Sequence, residues 1–175
     1  MKTPVLETER LILRPFKMED VKDVFDGWES DPDVAKYMTW TSHNDINKTI
    51  DWLKFETDQI EKDEWYRFAL IKKETGELIG TGLIYYAHQV LCWTVGYNLA
   101  KKYWGKGYTM EAMKEILKFA KEKLEINEII GSHAKENIAS ENVIRKLGFQ
   151  YEKDIPYECN NGTVMREGKL HRLYL

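Results

Sequence analysis

A strand-like run, Trp93 to Leu99, leads through Lys102-Tyr-Trp-Gly105-Lys106-Gly107 into an amphipathic segment that starts near Tyr108-Thr109. No other stretch constrains the fold as much. The first N–H groups of a helix have no intrahelical partner and carry the positive end of its dipole. Gly105 and Gly107 remove the side chains that would keep an anion from that backbone. The order strand, glycine turn, helix therefore predicts a phosphate site on a core-facing helix. Two familiar versions fail on spacing: a dinucleotide fingerprint needs a small residue where Met110 stands, and a nucleoside-triphosphate loop needs glycine where Ala100 stands. Alone, the glycine pair also fits a plain strand-to-helix turn.

A second segment narrows the choice. Glu136-Asn137-Ile-Ala-Ser140-Glu-Asn142-Val-Ile-Arg145-Lys146-Leu147-Gly148-Phe149 follows another apolar strand candidate, Ile129 to Ala134. Together the glycine turn and this Asn-x-x-Ser with Lys-Leu-Gly-Phe resemble the two acetyl-CoA motifs of the GNAT N-acetyltransferase superfamily. The branch most resembled contains the ribosomal-protein N-terminal (alanine/serine) acetyltransferases. Its opening pattern is similar to Leu6-Glu-Thr-Glu-Arg10-Leu-Ile-Leu-Arg14-Pro15-Phe16, then Asp31-Pro32-Asp33-Val34 with Tyr37-Met38, then Gly96-Tyr97. The resemblance spans nearly the whole chain. Lys102 stands where the glycine motif usually begins with Gln or Arg, which keeps the charge and loses the planar fork.

The resemblance implies a single α/β domain over residues 1–175: a twisted mixed sheet of about seven strands with about four helices. The strands ending at Leu99 and beginning at Ile129 would be parallel neighbours that splay apart. It implies acetyl-CoA as cosubstrate, its pantetheine arm pairing with the backbone of Tyr97, Asn98 and Leu99. Its diphosphate would lie on Lys102 and on Trp104, Gly105, Lys106, Gly107, Tyr108 and Thr109, with amide contacts from Asn137 and Asn142. It further implies transfer of the acetyl group to a primary amine by direct attack in a ternary complex. Ser140 would be the general acid, and Glu158, after a shift of one position, the base. The bland readings stay beside these: Ser140 and Asn137 as helix-start caps, Glu158 as an exposed strand-end carboxylate. His88 and His133 are alternative bases, each more often structural.

Composition agrees with one enzyme-sized core. The 175 residues are 43% hydrophobic and 13% aromatic, enough to fold without disulfides or metals. Cys92 and Cys159 lie far apart, and the four histidines are scattered without ligand spacing. These features point to a reduced, metal-free cytoplasmic protein. The start, Met1 to Phe16, shows no basic-then-hydrophobic leader, and no stretch is long and apolar enough to span a membrane. A net charge of −3 disfavours nucleic-acid binding, whereas Lys101, Lys102, Lys106, Lys135, Arg145 and Lys146 crowd the two motifs, as a polyanionic cosubstrate favours.

Periodicity supplies the remaining elements. A strand is expected over Arg10 to Phe16, a helix through Val21, Val24, Phe25 and Trp28, and a second helix from Asn44–Asp45 to about Lys62. Three strands follow: Tyr66 to Lys73, Leu78 to Tyr86 and Leu91 to Leu99. The helix after the glycine turn buries Met113, Ile116, Leu117, Ala120 and Leu124. A short helix through Val143, Ile144 and Leu147 ends at Gly148. Strands are then read over Phe149 to Glu158 and Leu170 to Leu175, with a turn at Asn161-Gly162. In the resembled fold the first two helices line the acceptor cleft, so Tyr37, Trp40, Trp52 and Phe55 are candidates for its wall or for core packing. The acceptor stays open among a protein N-terminus, a polyamine, an amino acid and an aminoglycoside-like amine, and the protein is read as monomer or homodimer. The competing reading is a noncatalytic acyl-CoA-binding module; a dinucleotide oxidoreductase lacks its third glycine.

Overall fold

The structure is a computed structural model that describes residues 1–175. One sheet of eight strands runs through it in the order β1-β2-β3-β4-β5-β6-β8-β7. The strands are β1 (Leu6–Glu7), β2 (Leu11–Arg14), β3 (Trp65–Lys72), β4 (Leu78–Ala87), β5 (Cys92–Leu99), β6 (Glu128–Ala134), β7 (Gln150–Cys159) and β8 (Val164–Tyr174). All neighbours are antiparallel except β5 and β6. Strand β4 is buried without interruption from Leu78 to Ile84, the pattern of a strand covered on both faces.

Five helices cover the sheet: α1 (Val21–Val24), α2 (Pro32–Ala35), α3 (Ile46–Gln59), α4 (Tyr108–Lys123) and α5 (Ile138–Lys146). Glycines mark which face carries which helix. A Cβ on Gly82 would meet Ile116 and Met113 of α4, and one on Gly131 would meet Ile144 of α5. On the opposite face Arg67 of β3 reaches Glu56 of α3. Tyr66 and Phe68 pack edge-on against Phe119 of α4, and Phe16 against Trp52 of α3. The core thus lies in two layers with the sheet between them.

Several expectations need correction. The sheet expected at about seven strands has eight, the short extra one formed where Leu6 and Glu7 pair with Leu13 and Ile12; two residues are too few to show a period. The fifth helix, α2, lies just beyond the stretch expected for the first. After α1 the backbone widens into a π-turn over Phe25–Glu29 that contains Gly27, and Ser30 Oγ donates to the Phe25 carbonyl at 2.7 Å. Asp31 then caps a new helix whose first residue is Pro32. Helix α3 begins at Ile46, its cap Asp45 accepting from the Asn47 amide. Strand β8 starts at Val164 and not Leu170. Its first half, Val164 to Lys169, leaves Met165 and Glu167 exposed and sets Arg166 and Gly168 on the other face, so no apolar alternation marks it as a strand.

Strands β5 and β6 pair only at Trp93↔Ile129 and Thr94↔Ile130. Beyond them β5 runs on to Leu99 and β6 to Ala134 without a partner between them.

Candidate active site

The unpaired edge of β5 has a definite polarity. The Ala100 amide donates to Ile79 O at 2.9 Å. Alternation then sends the N–H and C=O groups of Asn98 and Gly96 toward β4, and those of Leu99, Tyr97 and Val95 into the gap. Buried backbone groups require partners. The gap has room for one, since Thr94, Gly96, Tyr97 and Asn98 keep partial exposure in the middle of the sheet. One gap-facing group is already taken: Trp104 Nε1 donates to Leu99 O at 2.9 Å. An amide-bearing arm laid along β5 would meet the others as an added strand does.

The head of that arm would reach the glycine turn. Gly105 and Gly107 adopt φ of 71° and 80°, the left-handed region that other residues enter at a cost. Gly107 is the cap position of α4 and supplies no side-chain cap, so the amides of Tyr108, Thr109 and Met110 are left for an external acceptor. Tyr108 is buried while Trp104, Gly105, Lys106 and Gly107 are exposed. Lys106 Nζ donates to Lys102 O at 2.9 Å. Lys102 itself is paired with Glu77 at 3.0 Å, which directs its ammonium toward the β3–β4 turn. Arg10 was absent from the sequence candidates. Its Nη1 donates to Lys106 O at 3.1 Å and its Nε to Glu111 at 2.6 Å, while the guanidinium lies 4.3 Å from the Tyr108 ring centroid. Arg10 therefore bolts the glycine turn to β2, a contact between segments too distant in sequence for any motif to show.

Across the gap, Tyr97 OH and Ser140 Oγ are 2.8 Å apart. Asn137 caps α5, its Oδ1 accepting from the Ser140 amide at 3.1 Å. Ser140 is thus inside the first turn and its hydroxyl is free for Tyr97. Burial pushes the Tyr97 phenol well above its ordinary value, and the bond to Ser140 pulls only partly against that, so Tyr97 is a protonated donor throughout the neutral range. Sequence reasoning placed Tyr97 in the site through its backbone and missed its hydroxyl. Asn142 is exposed on α5.

Glu158 is exposed and alternates along β7 with half-buried Tyr157 and buried Cys159, which turns its carboxylate to the other side of the strand. His88 is exposed beside Glu64 at 2.8 Å. His133 is buried with His171, Nε2 to Nε2 at 3.1 Å. The tip of the β7–β8 hairpin folds over the opposite face: Asn160 Nδ2 donates to Ala35 O at 2.9 Å and to Trp40 O at 3.0 Å, and the Asn161 amide donates to Thr39 O at 2.6 Å. The segment after α2 and the hairpin are joined into a roof.

Next to it, with the His43 ring 6.1 Å from that of Trp40, lies a cluster no motif announced. Glu29 and Glu56 are 2% and 3% exposed. Arg67 Nε is 2.8 Å from Glu56 Oε1, without the alignment of a hydrogen bond, and Trp65 Nε1 donates to Glu56 Oε2 at 2.8 Å. Arg67 lies 5.4 Å from the Trp52 and 5.6 Å from the Trp65 ring centroid. His43 is 3.2 Å from Glu29 through Nε2 and 2.8 Å from Thr49 Oγ1 through Nδ1. Burial drives the Glu29 carboxyl up to about 7 against the pull of Arg67; burial also raises Glu56 and lowers His43.

Known proteins share this fold. The family description "Acetyltransferase (GNAT) domain" matches residues 10–150. The chain is 35% identical over 148 residues to an uncharacterized N-acetyltransferase p20 of Bacillus licheniformis, covering 84% of this chain and 83% of that protein. Among solved structures, a putative ribosomal-protein-serine acetyltransferase from Vibrio cholerae superposes with a TM-score of 0.85 over 100% of both chains at 20% identity. The microcin C7 self-immunity acetyltransferase, solved with acetyl-CoA and AMP, gives 0.84 over 95% of this chain and 93% of its own, at 15% identity. These two likenesses are likenesses of fold. No helix is long and apolar enough to cross a membrane.

Proposed function

The chain belongs to the GNAT acetyltransferase family, and from that membership we infer an acetyl-CoA-dependent N-acetyltransferase that acetylates a primary amine while both substrates are bound. The observation that carries this reading is the open β5 edge, Val95 to Leu99, lying between an uncapped helix head at Gly107 and the Tyr97–Ser140 hydroxyl pair. Acetyl-CoA supplies an acyl thioester, an amide-bearing arm and a diphosphate, and each has a complementary feature here.

The amides of Tyr108 and Thr109, with Gly105 and Gly107 giving access, hold the diphosphate. Lys106 adds charge at the same place, and Lys102 can join only by leaving Glu77. Backbone groups of Tyr97 and Leu99 hold the arm, and a gap-facing N–H there is placed to stabilise charge on the acyl oxygen. Ser140 donates a hydrogen bond to the departing sulfur while Tyr97 OH donates to Ser140 Oγ. A thiolate of pKa ~8.5 needs only modest help to leave. Asn137 orients Ser140 by holding its amide.

The test is acetyl-CoA turnover against a panel of primary amines, read as free thiol. Release that depends on the amine is expected. Tight CoA binding with no release across the panel would overturn the reading and leave a binding module.

A further inference from the structure

Resting on that assignment, we propose that Glu29 is the acceptor site: its carboxylate, with Arg67, Glu56 and His43 behind it, receives a slender cationic primary amine and takes the proton that must leave before attack.

Charge is the first argument. The cluster holds two buried carboxylates and one guanidinium, and Arg67 is committed to Glu56 by its Nε and by the tryptophans on either side. Only His43 touches Glu29 as a possible cation, and burial disfavours its protonated form. With both carboxyls ionised the cluster is therefore one positive charge short. Buried carboxylates left in that state are costly, and an incoming ammonium supplies the missing charge. A free amino acid would bring a further carboxylate beside Glu29 and Glu56, so it is the wrong class.

Position is the second. Arg67, Leu83 and Gly96 are cross-strand partners on β3, β4 and β5. Their row leads from the cluster to the open edge, and its last member has no side chain and directly precedes Tyr97. The third is the wall. Tyr85 packs 5.0 Å from Trp65, and burial holds the Tyr157 phenol up at about 12, with Tyr85 among its neighbours; rings of this kind favour a cation. Asn160 clamps the segment after α2, whose Trp40 ring lies 6.1 Å from that of His43, and Glu29 is only 2% exposed, so the site asks for a narrow –NH3⁺ head and excludes a bulky one.

The balance is simple. The ammonium gives one proton to the Glu29 carboxylate and becomes a neutral amine. Its lone pair forms the N–C bond as the C–S bond breaks with its electron pair on sulfur. The second nitrogen-bound proton ends on that sulfur through Ser140 and Tyr97, and Glu29 returns its proton to water along His43. A carboxyl group near neutrality is suited to this cycle.

The experiment compares wild type with Glu29→Gln and Glu29→Asp on alkyl amines and polyamines, on short peptides with free N-termini and blocked C-termini, and on free amino acids. CoA binding is measured by calorimetry. Both variants should bind CoA as wild type does. Glu29→Gln should lose at least ~100-fold in kcat/KM, the scale of a removed acid–base group, together with the limb of the pH–rate profile near 7, and Glu29→Asp should recover part of each. Turnover of either carboxylate-free class supports the proposal, and their ratio tells small amines from peptide termini. Unchanged kcat/KM and pH profile in Glu29→Gln, or a preference for free amino acids, would overturn it. A wild type that binds CoA and acetylates nothing removes the transferase reading instead. Should Glu29→Gln fail to fold, the preferred amine is expected to stabilise wild type against heating at pH 8 and not at pH 5; equal stabilisation at both, or none at either, overturns the proposal.

Discussion

Asn160, at the tip of the β7–β8 hairpin, donates both amide hydrogens of its side chain to carbonyls on either side of the segment after α2, Ala35 O at 2.9 Å and Trp40 O at 3.0 Å. One residue thereby fixes the distance between two chain segments that share no secondary structure. Its φ of 53° lies in the left-handed region, so Asn160→Gly removes the clamp without straining the backbone. The variant should lose about 1–2 kcal/mol of stability for two side-chain hydrogen bonds. Its KM for the amine should rise while its affinity for CoA stays the same, because the clamp touches only the acceptor face. Equal losses on both substrates would mean that the hairpin supports the sheet and not the cleft.

Ser140 and Tyr97 share one hydrogen bond and should behave as one device. Ser140→Ala and Tyr97→Phe are each expected to lower kcat by roughly 100-fold, the low end of general acid catalysis, with little change in CoA affinity. The double variant should be scarcely worse than the more damaging single one, since either change breaks the same chain of donors. Additive losses in a double-mutant cycle would show that the two hydroxyls act separately.

How much of this was legible follows from where each signal is written. The glycine turn and the Asn137–Ser140 segment are local, and steric demands on a few adjacent residues show in their order; both motifs lie where the sequence put them. The splay is visible only by inference, since nothing in β5 or β6 alone says that their pairing stops after Thr94 and Ile130. The cluster at Glu29 was invisible for a different reason. Helix α3 buries Leu53, yet Ile46 is 38% exposed while Thr49 and Glu56 are buried. Thr49 faces His43 and Glu56 faces Arg67, so the hydrophobic period breaks where the helix turns polar groups inward. A broken period reads as a weak helix until the partners on β3 and the loop at His43 are known.

Gly107 tests the anion site directly. Its φ of 80° makes any side chain strained, although a Cβ would come no closer than 3.5 Å to Arg10. Gly107→Ala should therefore cost about 1–2 kcal/mol of stability from backbone strain alone. CoA affinity should fall roughly tenfold or more as the first-turn amides of α4 tilt away, a change of about 1.4 kcal/mol or more. Lys102→Ala, by contrast, should weaken CoA by less than about threefold, because an exposed lysine already paired to Glu77 contributes little. Isothermal titration of CoA into the two variants ranks them; the reverse order would place the grip in the lysine and not in the backbone.

The Glu29 carboxyl also predicts how stability depends on pH. Its value in the folded chain is raised from 4.5 to about 7, chiefly by burial. Between those values the folded state binds the proton that the unfolded state has released. The contribution of Glu29 is therefore fully present below about pH 4.5 and is lost as the pH rises through 7, on the order of 3 kcal/mol in all. His171 works in the opposite sense: burial lowers it from 6.5, so its contribution is lost as the pH falls below that value. The two effects overlap in wild type, and the difference between wild type and Glu29→Gln isolates the first. Glu29→Gln should be close to wild type in stability at pH 5 and more stable than wild type at pH 8, where it no longer buries an unpaired charge beside Glu56 and Arg67. Urea unfolding at the two pH values measures this. A variant less stable than wild type at pH 8 would mean that Glu29 already has its cation in the free protein, and that the pocket is not waiting for one.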